Sequence, residues 1–414
     1  MNYLILIDQI VTSGSRFLLS ILIARALGLE DFGLYSLLWT IVTLASSMQI
    51  PSTITPMMQI GIRISKHRQA KFFATAMLAQ LGYSFISLPF ISVFATVIVW
   101  GRPDALAIVF AINIYVFIFN QFEYFRRYFF AVGHRATALC LDAGLYFLLL
   151  VSISGAIKFG EMDITRYLIL SSFIGFIFCL FALKFYRFGW IKRGAYIEYR
   201  RRIWKVASPL ITSTIAGFIT GHAFIYVSAY LLGEAEVGGI AAARNIVGPL
   251  LILLMALENS LIRDLVLLSN NPERIRAYVR SVTIRWFLTI LTCVVILSAL
   301  ARPLLELTYG PEFVQFTSLI YWFGGASLFQ ILSRIQTVKL RTENKYEAIK
   351  RANIGTMILT VPISPLLVWL FGLTGAGMLV VISAASIWIL QDVFDRDGVI
   401  NKMIGIPSGL KDLM

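Results

Sequence analysis

About twelve stretches of roughly 20 mostly apolar residues run through the chain, and they constrain its fold more than any other feature. An α-helix needs about 20 apolar residues to cross the hydrocarbon layer of a membrane. Of all residues, 58% are hydrophobic and 14% are charged, whereas a soluble domain carries about 25% charged residues. The sequence therefore predicts an all-α polytopic membrane protein with about twelve transmembrane helices.

The predicted spans and their connections differ sharply in charge. The spans lie near 4–27, 34–62, 72–100, 104–125, 136–157, 165–185, 206–232, 239–262, 282–301, 316–338, 352–371 and 373–392. Of the 36 lysine and arginine residues, 28 fall in alternate connections, at 63–71, 126–135, 184–205, 263–285, 339–351 and in the tail. Because lysine- and arginine-rich connections stay in the cytoplasm, we predict that both termini are cytoplasmic.

The longest polar connection lies near the middle of the chain and predicts two halves of similar build. Six predicted spans precede it and six follow. Because six is even, the two repeats would run parallel, related by an axis along the membrane normal. We predict an N-terminal six-helix bundle at 1–185, a basic cytoplasmic linker at 186–205, a C-terminal six-helix bundle at 206–392 and a cytoplasmic tail at 393–414.

A leucine–glycine corner after the first span has a weaker copy in the second half. Gly28 and Gly33 flank acidic residues in the first copy, and Gly233 and Gly238 flank acidic residues in the second. The first copy also carries Arg25, which has no counterpart in the second. We predict that both copies form tight corners in which glycine permits the turn, so that these residues are structural.

Of the charged side chains within predicted spans, three are candidates for cargo binding, because a charge there costs about 2.5–3.5 kcal/mol on insertion scales and needs a partner or a watery cavity. Arg16 lies near the middle of the first span, Asp8 lies two helical turns before it, and Arg244 lies in the eighth span. We predict that they line a cavity in which the guanidinium groups bind phosphate. The alternatives are that Arg16 pairs with a carboxylate on another helix, that Arg244 reaches the membrane surface, and that Asp8 pairs with a loop arginine.

Other residues of the spans are candidates for coupling and for movement. His222 and Glu258 are candidate sites of ion or proton coupling, because imidazole titrates near physiological pH and a carboxylate in a membrane is costly. The alternatives are a neutral, hydrogen-bonded histidine, and pairing of Glu258 and Asp142 with nearby loop arginines. Pro51 and Pro56 interrupt the second span and predict a hinge.

Catalytic, cofactor-binding and metal-binding motifs are absent from the sequence. It contains no phosphate-binding glycine loop, no His-Glu-x-x-His and no Gly-x-Ser-x-Gly, and its three cysteines lack metal-ligand spacing. The acidic–basic–acidic run at 395–397 resembles the Asp-x-Asp of metal-dependent sugar transferases, but its place in a short tail indicates a solvated charge cluster. We therefore predict no enzyme, no cofactor and no metal. The net charge of +14 belongs to connections that flank the membrane, so we also predict no nucleic-acid partner.

The first corner resembles a known family. Its segment Ala-Arg-Ala-Leu-Gly at 24–28, followed by Asp-Phe-Gly-Leu-Tyr-Ser at 31–36, resembles the start of bacterial polysaccharide-unit exporters. These are flippases for lipid-linked oligosaccharides of O-antigen type, within the multidrug/oligosaccharidyl-lipid/polysaccharide superfamily. The resemblance implies two six-helix bundles around a central cavity that opens alternately to each side of the bacterial inner membrane.

The same resemblance implies a cargo and partners. The cargo would be an undecaprenyl-pyrophosphate-linked oligosaccharide used for surface polysaccharide such as lipopolysaccharide O-antigen, capsule or exopolysaccharide. Its polysaccharide polymerase and chain-length proteins would be further partners, together with the lipid bilayer. The implied function is therefore a flippase that works by alternating access.

Two other functions remain open from the sequence. An ion-coupled drug or metabolite exporter of the same superfamily would need a compact cation site of carboxylates, whereas the deep acidic residues here are few and scattered. A membrane-embedded polysaccharide polymerase or acyltransferase usually carries a large outer loop or a deep catalytic histidine or carboxylate pair. The predicted outer connections are short, which favours the flippase.

Overall fold

The computed structural model describes residues 3–61, 64, 66–160, 162–186, 193–267, 272–343 and 345–395. Every regular element in these ranges is helical, which confirms the all-α fold predicted from the apolar stretches. The chain divides into two compact units, Met1–Ile215 (unit 1) and Ala216–Met414 (unit 2).

Twelve α-helices and two shorter helical turns make up most of the described residues. In chain order they are α1 (Tyr3–Gln49), a π-helical turn (Ile50–Ile54), α2 (Thr55–Gly61), α3 (Lys66–Ile98), α4 (Ala105–Ala131), α5 (Arg135–Lys158), α6 (Ile164–Leu183), α7 (Arg193–Leu231), α8 (Glu234–Leu267), α9 (Pro272–Ala299), α10 (Ala301–Thr308), a 3-10 turn (Pro311–Phe316), α11 (Thr317–Thr342) and α12 (Tyr346–Phe394). Eight helical segments within the described ranges are long and apolar enough to cross a membrane: Gln69–Ile98, Ala105–Ala131, Arg135–Lys158, Ile164–Leu183, Thr214–Leu231, Glu234–Leu254, Ala277–Ala299 and Tyr346–Phe394. The protein is therefore a multi-pass membrane protein.

Two of the long helices are each broken at a glycine with a left-handed backbone. Gly28 has a φ of 77° within α1, and Gly372 has a φ of 57° within α12. A β-carbon disfavours this conformation, so glycine lets the chain change direction without a loop. The break at Gly28 separates residues 3–27 from 29–49, where the sequence predicts the boundary between the first two spans.

The first glycine of each leucine–glycine copy makes the corner. Gly233 has a φ of 116° in the turn between α7 and α8. Like Gly28 in α1, it allows the chain to change direction through a left-handed backbone conformation. Gly33 and Gly238 instead lie within helices and are buried, which corrects the expectation that both glycines of each copy shape the turn. Arg25 lies one turn before Gly28 and is exposed.

The prolines predicted to form a hinge lie at a widened helical turn. Ile50–Ile54 form the π-helical turn, with Pro51 near its start, and Pro56 lies in α2. Proline has no backbone N–H to donate, and a π-helical turn is one way for a helix to continue past such an interruption. Just before the turn, the buried Gln49 donates a hydrogen bond to the carbonyl oxygen of Asn120 at 2.7 Å, which ties it to α4. A hinge at this turn stays a prediction.

Two connections differ from those that the sequence predicts. The C-terminal part of the predicted linker is helical, because α7 begins at Arg193, while 187–192 lie outside the described residues. The connection after α9 contains the short α10 and a 3-10 turn, which the predicted spans miss. Phe313 and Phe316 of that turn are buried, so apolar packing holds this connection against unit 2.

The end of α12 is held by a buried carboxylate. Asp395 accepts a hydrogen bond from Lys339 Nζ at 2.8 Å and another from Lys345 Nζ at 2.7 Å. This corrects the expectation that the run at 395–397 is solvated, although 396 and 397 lie outside the described residues. The local sequence gives no sign of the pairing, since the two lysines precede Asp395 by 56 and 50 residues.

Candidate functional site

A buried ionic cluster joins three helices of unit 1. Arg126 of α4 donates through Nη2 to Asp8 Oδ2 of α1 at 2.8 Å, and through Nε to Asp142 Oδ2 of α5 at 2.5 Å. Its Nη1 lies 3.4 Å from Glu123 Oε2, one helical turn earlier on α4. A guanidinium group suits this role because its planar fork of donors can serve several carboxylates at once.

The cluster corrects two expectations from the sequence. The basic run at 126–135 predicts a loop, but α4 continues to Ala131 and so places Arg126 in a buried helical position. The acidic residues that look scattered in the sequence meet here, with a guanidinium between them. In the residues that the structure describes, no group of three histidine, cysteine or acidic side chains is arranged to hold a metal ion.

Asp8 and Asp142 therefore serve first as partners of an arginine. For Asp142 the sequence favours this role, although it places the arginine in a loop. For Asp8 the sequence predicts a cavity-lining position, with pairing to an arginine as the alternative. In the structure Asp8 pairs with Arg126 and not with Arg16 of its own helix. Each aspartate keeps one buried oxygen, Oδ1, without a hydrogen-bond partner, so the cluster is not fully satisfied.

Arg16 has partners and is nevertheless accessible. Its Nε donates to the hydroxyl of Tyr146 at 2.6 Å, and its Nη2 lies 3.1 Å from Glu123 Oε1. Its guanidinium carbon lies 5.9 Å from the ring centroid of Phe119, within cation–π range. Even so, 41% of the side chain is exposed. Arg16 is thus paired with a carboxylate on another helix. This pairing is the alternative to a cavity-lining role that the sequence leaves open.

Two partners of Arg16 are not singled out by sequence reasoning. Glu123 lies inside the predicted span 104–125, and an acidic residue in an apolar stretch, three residues before an arginine, is the signal that points to it. Tyr146 carries no such signal, because a tyrosine in a membrane helix is common at the interface. Its contact with Arg16 joins residues 130 positions apart and arises only from packing of α1 against α5.

Arg244 is the contrasting cation of unit 2. It lies half-buried in α8, within a segment apolar enough to cross a membrane. In the described part of the chain, no carboxylate lies within ion-pair distance of its guanidinium group, which makes no hydrogen bond there. His222 of α7 lies near Arg244 and contributes no negative charge. Among the described residues, the guanidinium group of Arg244 is therefore a positive charge without a compensating anion.

The candidate coupling residues have different surroundings. The Nδ1 of His222 lies 3.1 Å from the carbonyl oxygen of Phe218, and the two rings stack at 4.2 Å with an interplanar angle of 11°. Glu258 belongs to α8, and its side chain lies outside the described residues. A coupling role for either residue stays a prediction.

Solved structures share this fold over nearly the whole chain. The lipid II flippase MurJ in an inward closed conformation has a TM-score of 0.75 at 11% identity, covering 96% of this chain and 89% of that chain. An inward-facing multidrug resistance MATE family transporter of the MOP superfamily has a TM-score of 0.73 at 15% identity, with 94% and 95% covered. A MOP superfamily transporter from Pyrococcus furiosus has a TM-score of 0.65 at 14% identity, with 94% and 92% covered. At these identities the likeness establishes the fold.

Sequence comparison establishes the family. No curated protein matches the chain. The polysaccharide biosynthesis protein family matches residues 3–262, which is well over half of the chain. The chain belongs to the polysaccharide biosynthesis protein family. This membership confirms the resemblance drawn from residues 24–36.

The family match covers both candidate arginines of this polysaccharide biosynthesis protein. Arg16 lies near the start of the matched range, and Arg244 lies near its end. The two arginines have different surroundings. Arg16 forms an ion pair with Glu123, whereas Arg244 has no acidic partner in the described residues.

Proposed function

We propose that this protein is a flippase that carries an undecaprenyl-pyrophosphate-linked oligosaccharide repeat unit across the bacterial inner membrane by alternating access. The transported unit serves surface polysaccharide biosynthesis, such as O-antigen, capsule or exopolysaccharide. Family membership supports the link to polysaccharide, and the fold shared with transporters and with a lipid II flippase supports movement of cargo across the membrane. The observation that carries the proposal in the site is the guanidinium of Arg244, which has no acidic partner among the described residues.

An unpaired guanidinium in a membrane helix is unfavourable until an anion reaches it. Pyrophosphate oxygens accept paired N–H donors in the geometry that guanidinium presents, which makes arginine the usual phosphate ligand where orientation matters. The same charge repels a cationic drug, which disfavours an exporter of cationic compounds. We therefore assign the pyrophosphate to Arg244 of unit 2 and a structural role to Asp8, while Arg16 stays a separate candidate for cargo binding within unit 1.

Replacing Arg244 with Gln is expected to lower surface polysaccharide in the native host by at least about tenfold, because it removes a desolvated charge that binds the pyrophosphate. The amount of polymer at the cell surface and the accumulation of lipid-linked repeat units inside the cell are both measured. Loss of transport would leave the repeat units on the cytoplasmic side, so the second quantity rises as the first falls.

The matched control is Arg302→Gln, which removes an exposed arginine from α10 of the same unit. It is expected to export as the wild type does. Variant and control are compared at equal amounts of folded protein in the membrane. Normal surface polysaccharide in the Arg244 variant would remove Arg244 from the mechanism.

The orientation in the membrane is part of this proposal. The basic connections and both termini face the cytoplasm, because lysine and arginine are retained there during insertion. Alkaline phosphatase fused after Met414 is expected to be inactive, and a fluorescent protein fused at the same place is expected to fluoresce. An active phosphatase fusion would reverse the assigned orientation.

The moving parts are proposed from the sequence pattern. The bundles 1–185 and 206–392 would rock about the linker 186–205, with the prolines at 51 and 56 as a local hinge. His222 and Glu258 are the candidate coupling residues. A polysaccharide polymerase and chain-length proteins would receive the transported unit.

A further inference from the structure

Aromatic rings from three helices of unit 1 meet beside Arg16. The ring of Trp39 lies 6.3 Å from Tyr35 on its own helix, and 6.5 Å and 5.9 Å from Tyr115 and Phe119 of α4. Tyr167 of α6 closes the group, at 5.3 Å from Tyr35 and 6.3 Å from Tyr115. All distances join ring centroids. We call these five residues the aromatic platform.

The aromatic platform faces the interior of unit 1. Its members lie on α1, α4 and α6 and contact one another, whereas rings directed at lipid would point away from neighbouring helices. Tyr115 and Tyr167 are buried, while Tyr35, Trp39 and Phe119 keep part of their surface accessible. The guanidinium of Arg16 lies 5.9 Å from the ring of Phe119, and 41% of its side chain is exposed, so the partly accessible rings stand beside a partly accessible cation.

The chemistry of this surface fits a sugar ring better than a lipid tail or a cation. Phenyl and indole faces bind the C–H faces of a pyranose, and the guanidinium of an arginine suits its hydroxyl groups. A polyprenyl chain would need no charged group beside it. A cation would compete with Arg16, whose guanidinium already lies at cation–π distance from Phe119 and from Tyr146.

We infer that the aromatic platform, with Trp39 and Phe119 at its accessible surface, is a subsite for a sugar residue of the transported oligosaccharide. This inference rests on the proposed function and adds a place for the sugars within unit 1. Stacking on rings selects for a sugar ring while tolerating differences among its hydroxyl groups, which suits cargo recognised by shape.

The test compares two probes on the full-length protein by native mass spectrometry in detergent. The first probe is undecaprenyl pyrophosphate without sugar, and the second is the lipid-linked oligosaccharide extracted from a host strain that lacks this protein. The wild type is expected to bind the second probe more tightly. Trp39→Leu is expected to lower that preference by about two- to tenfold and to leave the dissociation constant of the first probe unchanged.

Two further variants separate stacking from folding. Trp39→Phe keeps an aromatic face and is expected to restore most of the preference. Trp100→Leu makes the same replacement at a tryptophan that is 81% exposed at the end of α3, and it is expected to bind both probes as the wild type does.

The outcomes distinguish this inference from the proposed function. An unchanged preference in Trp39→Leu, or an equal loss for both probes, would overturn the sugar subsite while leaving the flippase in place. A wild type that binds neither probe would overturn the proposed function and the subsite together. Loss of the preference in Trp39→Leu, with recovery in Trp39→Phe, would support the subsite.

Discussion

Replacing Arg126 with Met is expected to lower the free energy of unfolding by about 3–5 kcal/mol, the cost of breaking a buried ion pair from one side. The buried carboxylates of Asp8 and Asp142 would lose donors at 2.8 Å and 2.5 Å and be left without a countercharge in a low-dielectric interior. Methionine keeps much of the aliphatic volume, so the change is mainly electrostatic. Thermal and denaturant unfolding of the full-length protein in detergent measures the effect.

The neighbouring arginine provides the matched control. The side chain of Arg127 is 40% exposed, and its Nε lies 3.8 Å from Glu123 Oε2, so Arg127→Met is expected to cost less than about 1 kcal/mol. Adding Asp8→Asn and Asp142→Asn to the Arg126 variant is expected to recover part of the loss, because the unpaired charges disappear. Similar unfolding of the Arg126 and Arg127 variants would show that the cluster does not stabilise the fold.

Replacing Gly375 with Ala is expected to destabilise unit 2 by about 3 kcal/mol or more, at the upper end of overpacking costs. A β-carbon at this position would lie 2.0 Å from the carbonyl oxygen of Leu367, a backbone atom that no rotamer change can move aside. The contact arises because the break at Gly372 brings the two parts of α12 together. Reduced yield of folded protein and a lower unfolding temperature in detergent are the measurements.

Gly325→Ala is the control for this substitution. Gly325 lies in α11, and a β-carbon there would meet nothing within 4 Å. Alanine in a helix interior is favoured over glycine by roughly 0.5–1 kcal/mol, so this variant is expected to match or exceed the wild type in stability. Equal unfolding temperatures for the two variants would mean that α12 relaxes at Gly375 without cost.

The helical plan is largely predictable from the sequence because its signals are local. An apolar stretch of about 20 residues specifies a membrane helix whatever its neighbours are. The corner at Gly28 is also local, since its backbone conformation is one that glycine adopts readily. The α10 helix is missed because eight residues are too few to stand out as a predicted span.

The candidate site is less predictable because its contacts join distant positions. Arg126 and Asp8 are 118 residues apart, and Arg16 and Glu123 are 107 apart. The charge count of each segment shows that a partner is needed, but not which partner is within reach. The difference between Arg16, which is paired with Glu123, and Arg244, which has no acidic partner in the described residues, therefore emerges only when the helices pack.

The sequence by itself determined that this chain is an all-α membrane protein of the polysaccharide biosynthesis protein family, because hydropathy, glycine and a short motif act within a few residues. Tertiary structure alone decided how the charges within the helices are distributed. Packing moved Arg126 from a predicted loop into a buried cluster and set Asp8 against it. In a low-dielectric interior a charge is stabilised by whatever lies within a few ångströms, and that distance is a property of the fold.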